Sequence, residues 1–367
     1  MIVPTVLCRA QDVKAIADSM KRQYAPDNST AVWEVTAKRV GGAWTLKGKM
    51  DDAGNKEALL AELERQGVKY NDEIEVLDAG WAMVKLSVAS MRTQGRHAAE
   101  LATQAIMGTP VRLLERAGEW YRAQTPDDYI AYIPSSSIVK KSEAQLRAWR
   151  KAQRVIVTAM QSQMVADSSD GAEVVSDLVL GNILEYRGEA GKWIKVATPD
   201  GRTGYVSRTD VADFDEWSQQ AFDADLIIST ARAMLGGGYL WGGTSTKLTD
   251  CSGMTKVCYF ANAIILQRDA SQQALTGTRI AADSWRSKAQ KGDLLFWGTR
   301  SGRVTHVGLY IADGKYIHCS GMVKYNSLDP QDASYLSTPF LSISRIEGKV
   351  GSKGIVAVKN HPWYFGN

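Results

Sequence analysis

The pattern of apolar and polar positions divides the 367-residue chain into stretches of different character. In QDVKAIADSMKRQY, Val13, Ile16, Ala17 and Met20 recur at helical spacing. TAVWEVTAKRV and AWTLKGKM alternate like strands, joined at Gly41-Gly42 as in a hairpin. NKEALLAELERQG reads as a helix closed by Gly67. Residues 1–80 are therefore expected to form an N-terminal α+β segment, with no role attached to it.

The middle of the chain repeats itself. GTPVRLLERAGEWYRAQTPDDYIAYIPSSSI begins at Gly108, and GNILEYRGEAGKWIKVATPDGRTGYVSRTDV begins at Gly181. A constant offset of 73 aligns Gly118 with Gly191, Trp120 with Trp193, and Thr125-Pro126-Asp127 with Thr198-Pro199-Asp200. Each copy alternates short strands with Gly, Asp and Pro turns, which predicts a small β-barrel. The pattern resembles bacterial SH3-like barrels. Between the copies, SEAQLRAWRKAQ predicts a helical linker with Ser142 as its N-cap. The expected divisions are 1–80, barrels at 81–140 and 155–215 around a linker at 141–154, and a last domain at 216–367.

That last domain opens with FDEWSQQAFDADLIISTARAML, read as helical, and the glycines Gly236–Gly238 break the pattern. TDCSGMTKVCYF then places Cys251 after Asp250 and before a stretch with helical spacing. In a helix's first turn, the dipole and free N–H groups favour an anion, so the thiol pKa is expected to fall. Asp250 or Thr249 can cap that turn. Cys258, two turns on, reads as core packing.

VTHVGLYI puts Val307, Leu309 and Ile311 on one strand face and His306 on the other. KYIHCSG carries His318 in the next strand, past Asp313-Gly314. A thiol, an imidazole to exchange its proton and a third polar group to orient the imidazole are the minimal set for covalent acyl transfer. A plain two-residue turn would pair Leu309 with His318 and point the two histidines to opposite faces. Serving one site therefore requires an odd-length loop or a β-bulge, with Gly314 left-handed.

Composition excludes more than it adds. Hydrophobic content of 44% and charged content of 23% describe an ordinary globular protein. No apolar run is long enough for a membrane span. A net charge of +4 falls short of a nucleic-acid footprint. Four scattered cysteines suggest neither a disulfide framework nor a zinc site, and neither metal nor organic cofactor is implied. MIVPTVLCRA reads either as the tail of a secretory signal or as a plain strand.

The motifs YLWGGTSTKLTDCSGMTK, GDLLFWG and THVGLYIADGKYIHCSG together resemble the NlpC-type cell-wall cysteine peptidases. The resemblance covers roughly residues 225–345 and keeps the order of the motifs. It implies a papain-like α+β catalytic domain behind the two barrels, with Cys251 as nucleophile, His306 as base and His318 as orienter. It also implies Tyr239 in the oxyanion hole. With two barrels ahead of it, the domain is similar to γ-D-glutamyl-L-diamino acid endopeptidases. Those cut peptidoglycan stem peptides that carry a free N-terminal L-alanine. By that likeness, Glu100, Tyr129 and Asp269, with Asp250 and Ser252, would form the amine pocket. Copy two has Arg202 where copy one has Tyr129, so Tyr129 is not kept for the barrel alone. Ala131-Tyr132 and Ala270 depart from the Gly-Trp pair and the serine common there.

The expected substrate is a peptidoglycan-derived peptide, and the expected place is the cell envelope or periplasm, with the cytoplasm as alternative. A lytic enzyme anchored to intact wall by its barrels, or an inactive wall-binding protein, are the other readings. Oligomeric state is not set by the sequence; a monomer is the default.

Overall fold

The computed structural model describes residues 13–40, 43–169 and 171–366. The signal-like first ten residues, with Cys8, and the Gly41-Gly42 turn lie outside the described residues. The chain forms two compact units, one reaching to Ala79 and including Asp128–Ile130, the other comprising Gly80–Asp127 and the chain from Ala131 onward.

The first unit runs α1 (Val13–Tyr24), β1 (Trp33–Val40), β2 (Ala43–Met50), α2 (Ala53–Arg65) and β3 (Tyr70–Val76). β1 and β2 are antiparallel, while β2 and β3 are parallel, with α2 as the crossover. Asp52 caps α2 by accepting from the Asn55 N–H at 2.7 Å. Leu46, Met50, Leu59 and Leu63 are fully buried between helices and sheet. The pattern analysis does not find β3: of YNDEIEV only Ile74 is buried, too little apolar content for an alternating signal.

In the second unit, the first barrel comprises β4 (Gly80–Val84), β5 (Val88–Arg92), β6 (Leu101–Ile106), β7 (Pro110–Ala117), β8 (Trp120–Gln124), β9 (Ile130–Pro134) and β10 (Ile138–Lys141). After α3 (Glu143–Lys151), whose Ser142 N-cap forms a full capping box, the second barrel repeats the plan. It comprises β11 (Arg154–Val157), β12 (Gln161–Val165), β13 (Val174–Val179), β14 (Ile183–Ala190), β15 (Trp193–Ala197), β16 (Thr203–Ser207) and β17 (Val211–Asp213). Each strand from β5 to β9 maps by the offset of 73 onto β12 to β16, and the order of the strands in the two sheets is the same. Equivalent glycines mark where the copies meet. A Cβ on Gly108 would lie 2.4 Å from the Ile183 carbonyl oxygen, and one on Gly181 would lie 2.7 Å from Ile106 Cδ1. Both glycines also have left-handed φ, so no side chain fits either position.

The last domain starts with α4 (Phe214–Ser218) and α5 (Ala224–Ala233), not the single helix expected. The break has a local cause. The Asp223 N–H is drawn to Asn262 Oδ1 at 2.8 Å, and the Asp223 carboxylate begins a fresh helix as its N-cap. Next come α6 (Cys251–Ala261), β18 (Ile264–Leu266), α7 (Ala270–Gln273), β19 (Thr278–Ala281) and α8 (Trp285–Lys288). They are followed by β20 (Leu294–Gly298), β21 (Val304–Ala312), β22 (Lys315–Ser320), β23 (Met322–Ser327), β24 (Phe340–Arg345), β25 (Ile355–Ala357) and α9 (Pro362–Phe365). Six strands form one sheet in the order β19-β24-β20-β21-β22-β23. Phe296, Val307, Leu309, Ile317 and Cys319 on one face pack with Met254, Val257 and Cys258 of α6. Leu295, Trp297, Tyr310 and Tyr316 build a second core on the other face. The α+β architecture with barrels ahead of it is the one expected from sequence.

Candidate active site

Cys251 is the first residue of α6, and Asp250 is the N-cap, its carboxylate accepting from the Gly253 N–H at 2.7 Å. The thiol is almost buried, at 8% exposure. The backbone N–H groups of Ser252 and of Val307, the residue after His306 on β21, favour its anion. The first N–H of a helix has no intrahelical acceptor, so the Cys251 amide is also free to donate.

Strand parity resolves as the sequence requires, by the β-bulge. Asp313 and Gly314 form a two-residue turn with left-handed φ values of 51° and 77°. Ala312 pairs with Lys315, but the register then slips between Tyr310 and Ala312, so that Leu309 pairs with Ile317. This extra residue, Ile311, returns His306 and His318 to one face. Gly308 stands against His318. A Cβ there would come 3.1 Å from the His318 Cβ.

The two imidazoles touch. His306 Nε2 lies 2.6 Å from His318 Nδ1, and His318 Nε2 lies 2.9 Å from Asn326 Oδ1. The Asn326 side-chain NH2 donates to the Ser334 carbonyl. A carbonyl only accepts, so the amide's orientation is set, and every proton in the chain follows. Asn326 Oδ1 takes the proton of His318 Nε2–H. His318 Nδ1 is then an acceptor and takes His306 Nε2–H. The lone pair of His306 is left on Nδ1. Trp297 holds both rings in place, with centroids 5.6 Å from His306 and 6.4 Å from His318.

Electrostatics make this a neutral site at rest. Burial pushes the Cys251 thiol up to about 11, and the Asp250 carboxylate adds to the effect, while the Val307 and Ser252 N–H groups and Arg268 oppose it. The fall expected from the helix terminus is therefore outweighed by desolvation. Burial holds His306 down to about 3, with His318 and Lys324 contributing. It holds His318 at about 4, against the pull of the Asn326 hydrogen bond.

Tyr239 is partly buried, packed against the core that contains Cys251. Burial, Cys251 and Asp250 push its phenol upward, so it keeps its proton and can donate. Asp250 and Ser252 lie below the surface. The buried Arg268 guanidinium donates to both Asp250 oxygens and, at 2.8 Å, to Ser252 Oγ. It also donates to Thr103 of the first barrel at 3.1 Å. The Asp250 carboxylate is thus already committed to Arg268 and to the Gly242 and Gly253 N–H groups. Asp269 caps α7 directly after Arg268. Glu100 is exposed on the first barrel, and one of its oxygens accepts from the Trp241 indole N–H at 2.6 Å. No cation pairs with Glu100 among the described residues. Tyr129 lies in the stretch 128–130 that groups with the first unit. Among the described residues no cluster of His, Cys, Asp and Glu could hold a metal ion.

Sequence reasoning missed Asn326, Arg268, Trp241 and Gly308. Asn326 had a usable signal: it lies eight residues from His318, an even spacing across a tight turn. Arg268 had none, since an arginine reads as surface until its burial is seen.

A thiol at a helix start, a histidine pair on the facing sheet and two barrels ahead of them define a papain-like cysteine peptidase. Residues 236–345 match the NlpC/P60 family. Residues 91–138 match the bacterial dipeptidyl-peptidase Sh3 domain, and residues 166–212 the bacterial SH3 domain. The chain is 26% identical over 249 residues to the "Gamma-D-glutamyl-L-lysine dipeptidyl-peptidase" of Bacillus cereus, covering 65% of this chain and 73% of the relative. It is 28% identical over 269 residues to the "Dipeptidyl-peptidase 6" of Lysinibacillus sphaericus, covering 69% of this chain and 94% of the relative. The fold matches a crystal structure of an NlpC/P60 family protein from Bacillus cereus with a TM-score of 0.63 and 21% identity, over 72% of this chain and 99% of that one.

Proposed function

We propose that this cysteine peptidase hydrolyses the bond between γ-D-glutamate and an L-diamino acid in peptidoglycan-derived peptides that carry a free N-terminal L-alanine, acting at the cell envelope. The observation that supports the chemistry is the ordered chain from Ser334 through Asn326 and His318, which leaves the lone pair of His306 on Nδ1. In this reading the Cys251 proton passes to that lone pair as sulfur attacks the γ-carbonyl carbon. The Tyr239 phenol and the Cys251 N–H receive the oxyanion. The imidazolium returns its proton to the departing amine as the C–N bond breaks. Water, deprotonated by His306, then releases the glutamyl acyl group and regenerates the thiol.

The substrate choice draws on the names of the two relatives and on Glu100. An exposed carboxylate without a cation, held by the Trp241 indole, suits a substrate ammonium. The test is product analysis with L-Ala-γ-D-Glu-L-Lys, the diaminopimelate analogue and the N-acetylated peptide. Cleavage of the free peptide, loss with the acetylated one and no cleavage by Cys251→Ala are expected. Equal cleavage of the acetylated peptide would instead favour a lytic enzyme.

A further inference from the structure

β23 forms the outer strand of the six-stranded sheet and carries Lys324 directly opposite His318 in the antiparallel register. Directly paired residues share a face, with Cβ atoms about 4.5–5.5 Å apart. Lys324 is therefore on the same face as both imidazoles and two residues from Asn326. It is half-buried, and among the described residues no carboxylate pairs with it. Its charge bears on both His306 and His318, disfavouring their protonated forms.

A bare ammonium is a costly neighbour for a histidine that must carry a proton during the reaction. The cost has a purpose if a negative charge arrives with the substrate. The proposed leaving group brings one. When the scissile nitrogen is the α-amine of the third residue, that residue's α-carboxyl carbon is only two bonds away from it. His306 must protonate that nitrogen, so the carboxyl group comes close to the histidine pair, whose face of the sheet Lys324 shares. In a tripeptide it is a carboxylate. In a tetrapeptide or longer stem it is an uncharged amide.

We infer that Lys324 binds the α-carboxylate of the departing diamino acid and so selects peptides that end at the third residue. The inference rests on the γ-glutamyl reading and narrows it: the substrate class becomes free tripeptides already trimmed at the C-terminus. A carboxypeptidase-type reaction that removes later residues must then precede this one.

The experiment measures kcat/KM of the full chain for L-Ala-γ-D-Glu-L-Lys, its C-terminal carboxamide and the tetrapeptide extended by D-alanine. Wild type, Lys324→Met and Lys324→Arg are compared at neutral pH, above the range in which the histidines titrate. Wild type is expected to prefer the free acid by roughly ten- to hundred-fold, the effect of one hydrogen bond between charged groups. Lys324→Met should lose that factor on the acid and stay unchanged on the other two substrates. Lys324→Arg should retain much of the preference. Equal loss on all three substrates would assign Lys324 a merely structural or field role and overturn the inference. So would a wild type that treats acid and amide alike. A wild type that cleaves none of the three overturns the γ-glutamyl reading itself, and the role of Lys324 with it.

Discussion

Replacing Asn326 probes whether the proton arrangement of the histidine pair was read correctly. Asn326→Leu keeps much of the volume but removes the acceptor for His318 Nε2–H, now 2.9 Å away. His318 is fully buried, so water does not readily replace that partner. Leaving a buried donor unpaired costs about 1–3 kcal/mol. If all of it is felt in the transition state, kcat falls about 5- to 150-fold. Asn326→Asp makes the sharper test, because a carboxylate keeps the acceptor and adds a charge. His318 is held at about 4 mainly by burial, with Lys324 pressing in the same direction. A carboxylate in contact favours the imidazolium and moves the acid limb of kcat/KM up by about one to three pH units. The sign follows from the proton chain: a doubly protonated His318 donates to His306 Nε2 and turns the lone pair of His306 away from Cys251. Asn326→Asp should thus approach wild-type activity near pH 8 and lose it near pH 5, where wild type is still active. The assay is a full pH profile of peptide cleavage. A loss in Asn326→Asp that is the same at every pH, or full activity in Asn326→Leu, would refute the tautomer assignment.

Two other predictions use the same site. With the Cys251 thiol pushed up to about 11, iodoacetamide alkylation of the free enzyme should rise about tenfold per pH unit through neutrality. A plateau between about pH 5 and 8 would show a preformed thiolate–imidazolium pair instead. Arg268→Met leaves the Asp250 carboxylate buried without its guanidinium, at a cost of about 3–5 kcal/mol in urea unfolding. The double variant Asp250→Asn with Arg268→Met should recover part of that, since no buried charge is then stranded. A single variant within about 1 kcal/mol of wild type would show that the pair contributes little.

How much was legible in the sequence depended on whether the signal was local. Strand alternation in VTHVGLYI, the cap at Ser142 and the glycine after α2 are read within one element, and all appear in the structure. The bulge at Ile311 was legible for a different reason. An odd-length loop or a bulge was required to bring two histidines to one face, a demand of chemistry on geometry, and the two-residue Asp313-Gly314 turn leaves the bulge as the solution found. The thiol's surroundings were only half legible, because a helix terminus is visible in sequence and burial is not. Cys251 lies under the sheet at 8% exposure, and desolvation decides the sign. Arg268 illustrates the same limit, since Ser252, Asp250 and Thr103, to which it donates, are 16, 18 and 165 residues away.

The repeat carries one more distinction, visible only when sequence and contacts are combined. Both copies keep the same turn: Thr125 Oγ1 donates to Asp127 at 2.5 Å, and Thr198 Oγ1 donates to Asp200 at 2.6 Å. In the second barrel the aspartate's cation is Arg202, two residues on in the same turn. The first barrel has Tyr129 at that position, so its own turn supplies no cation. Asp127 pairs instead with Lys256, which projects from α6, the helix that begins at Cys251. Both side chains of this pair are nearly buried, whereas Arg202 is about one-third exposed. A buried pair stripped of one member costs about 3–5 kcal/mol, far more than an exposed one. The same Thr-Asp turn therefore closes a barrel in one copy and fastens a barrel to the nucleophile's helix in the other. Exchanging one arginine for a tyrosine is the step that separates the two uses.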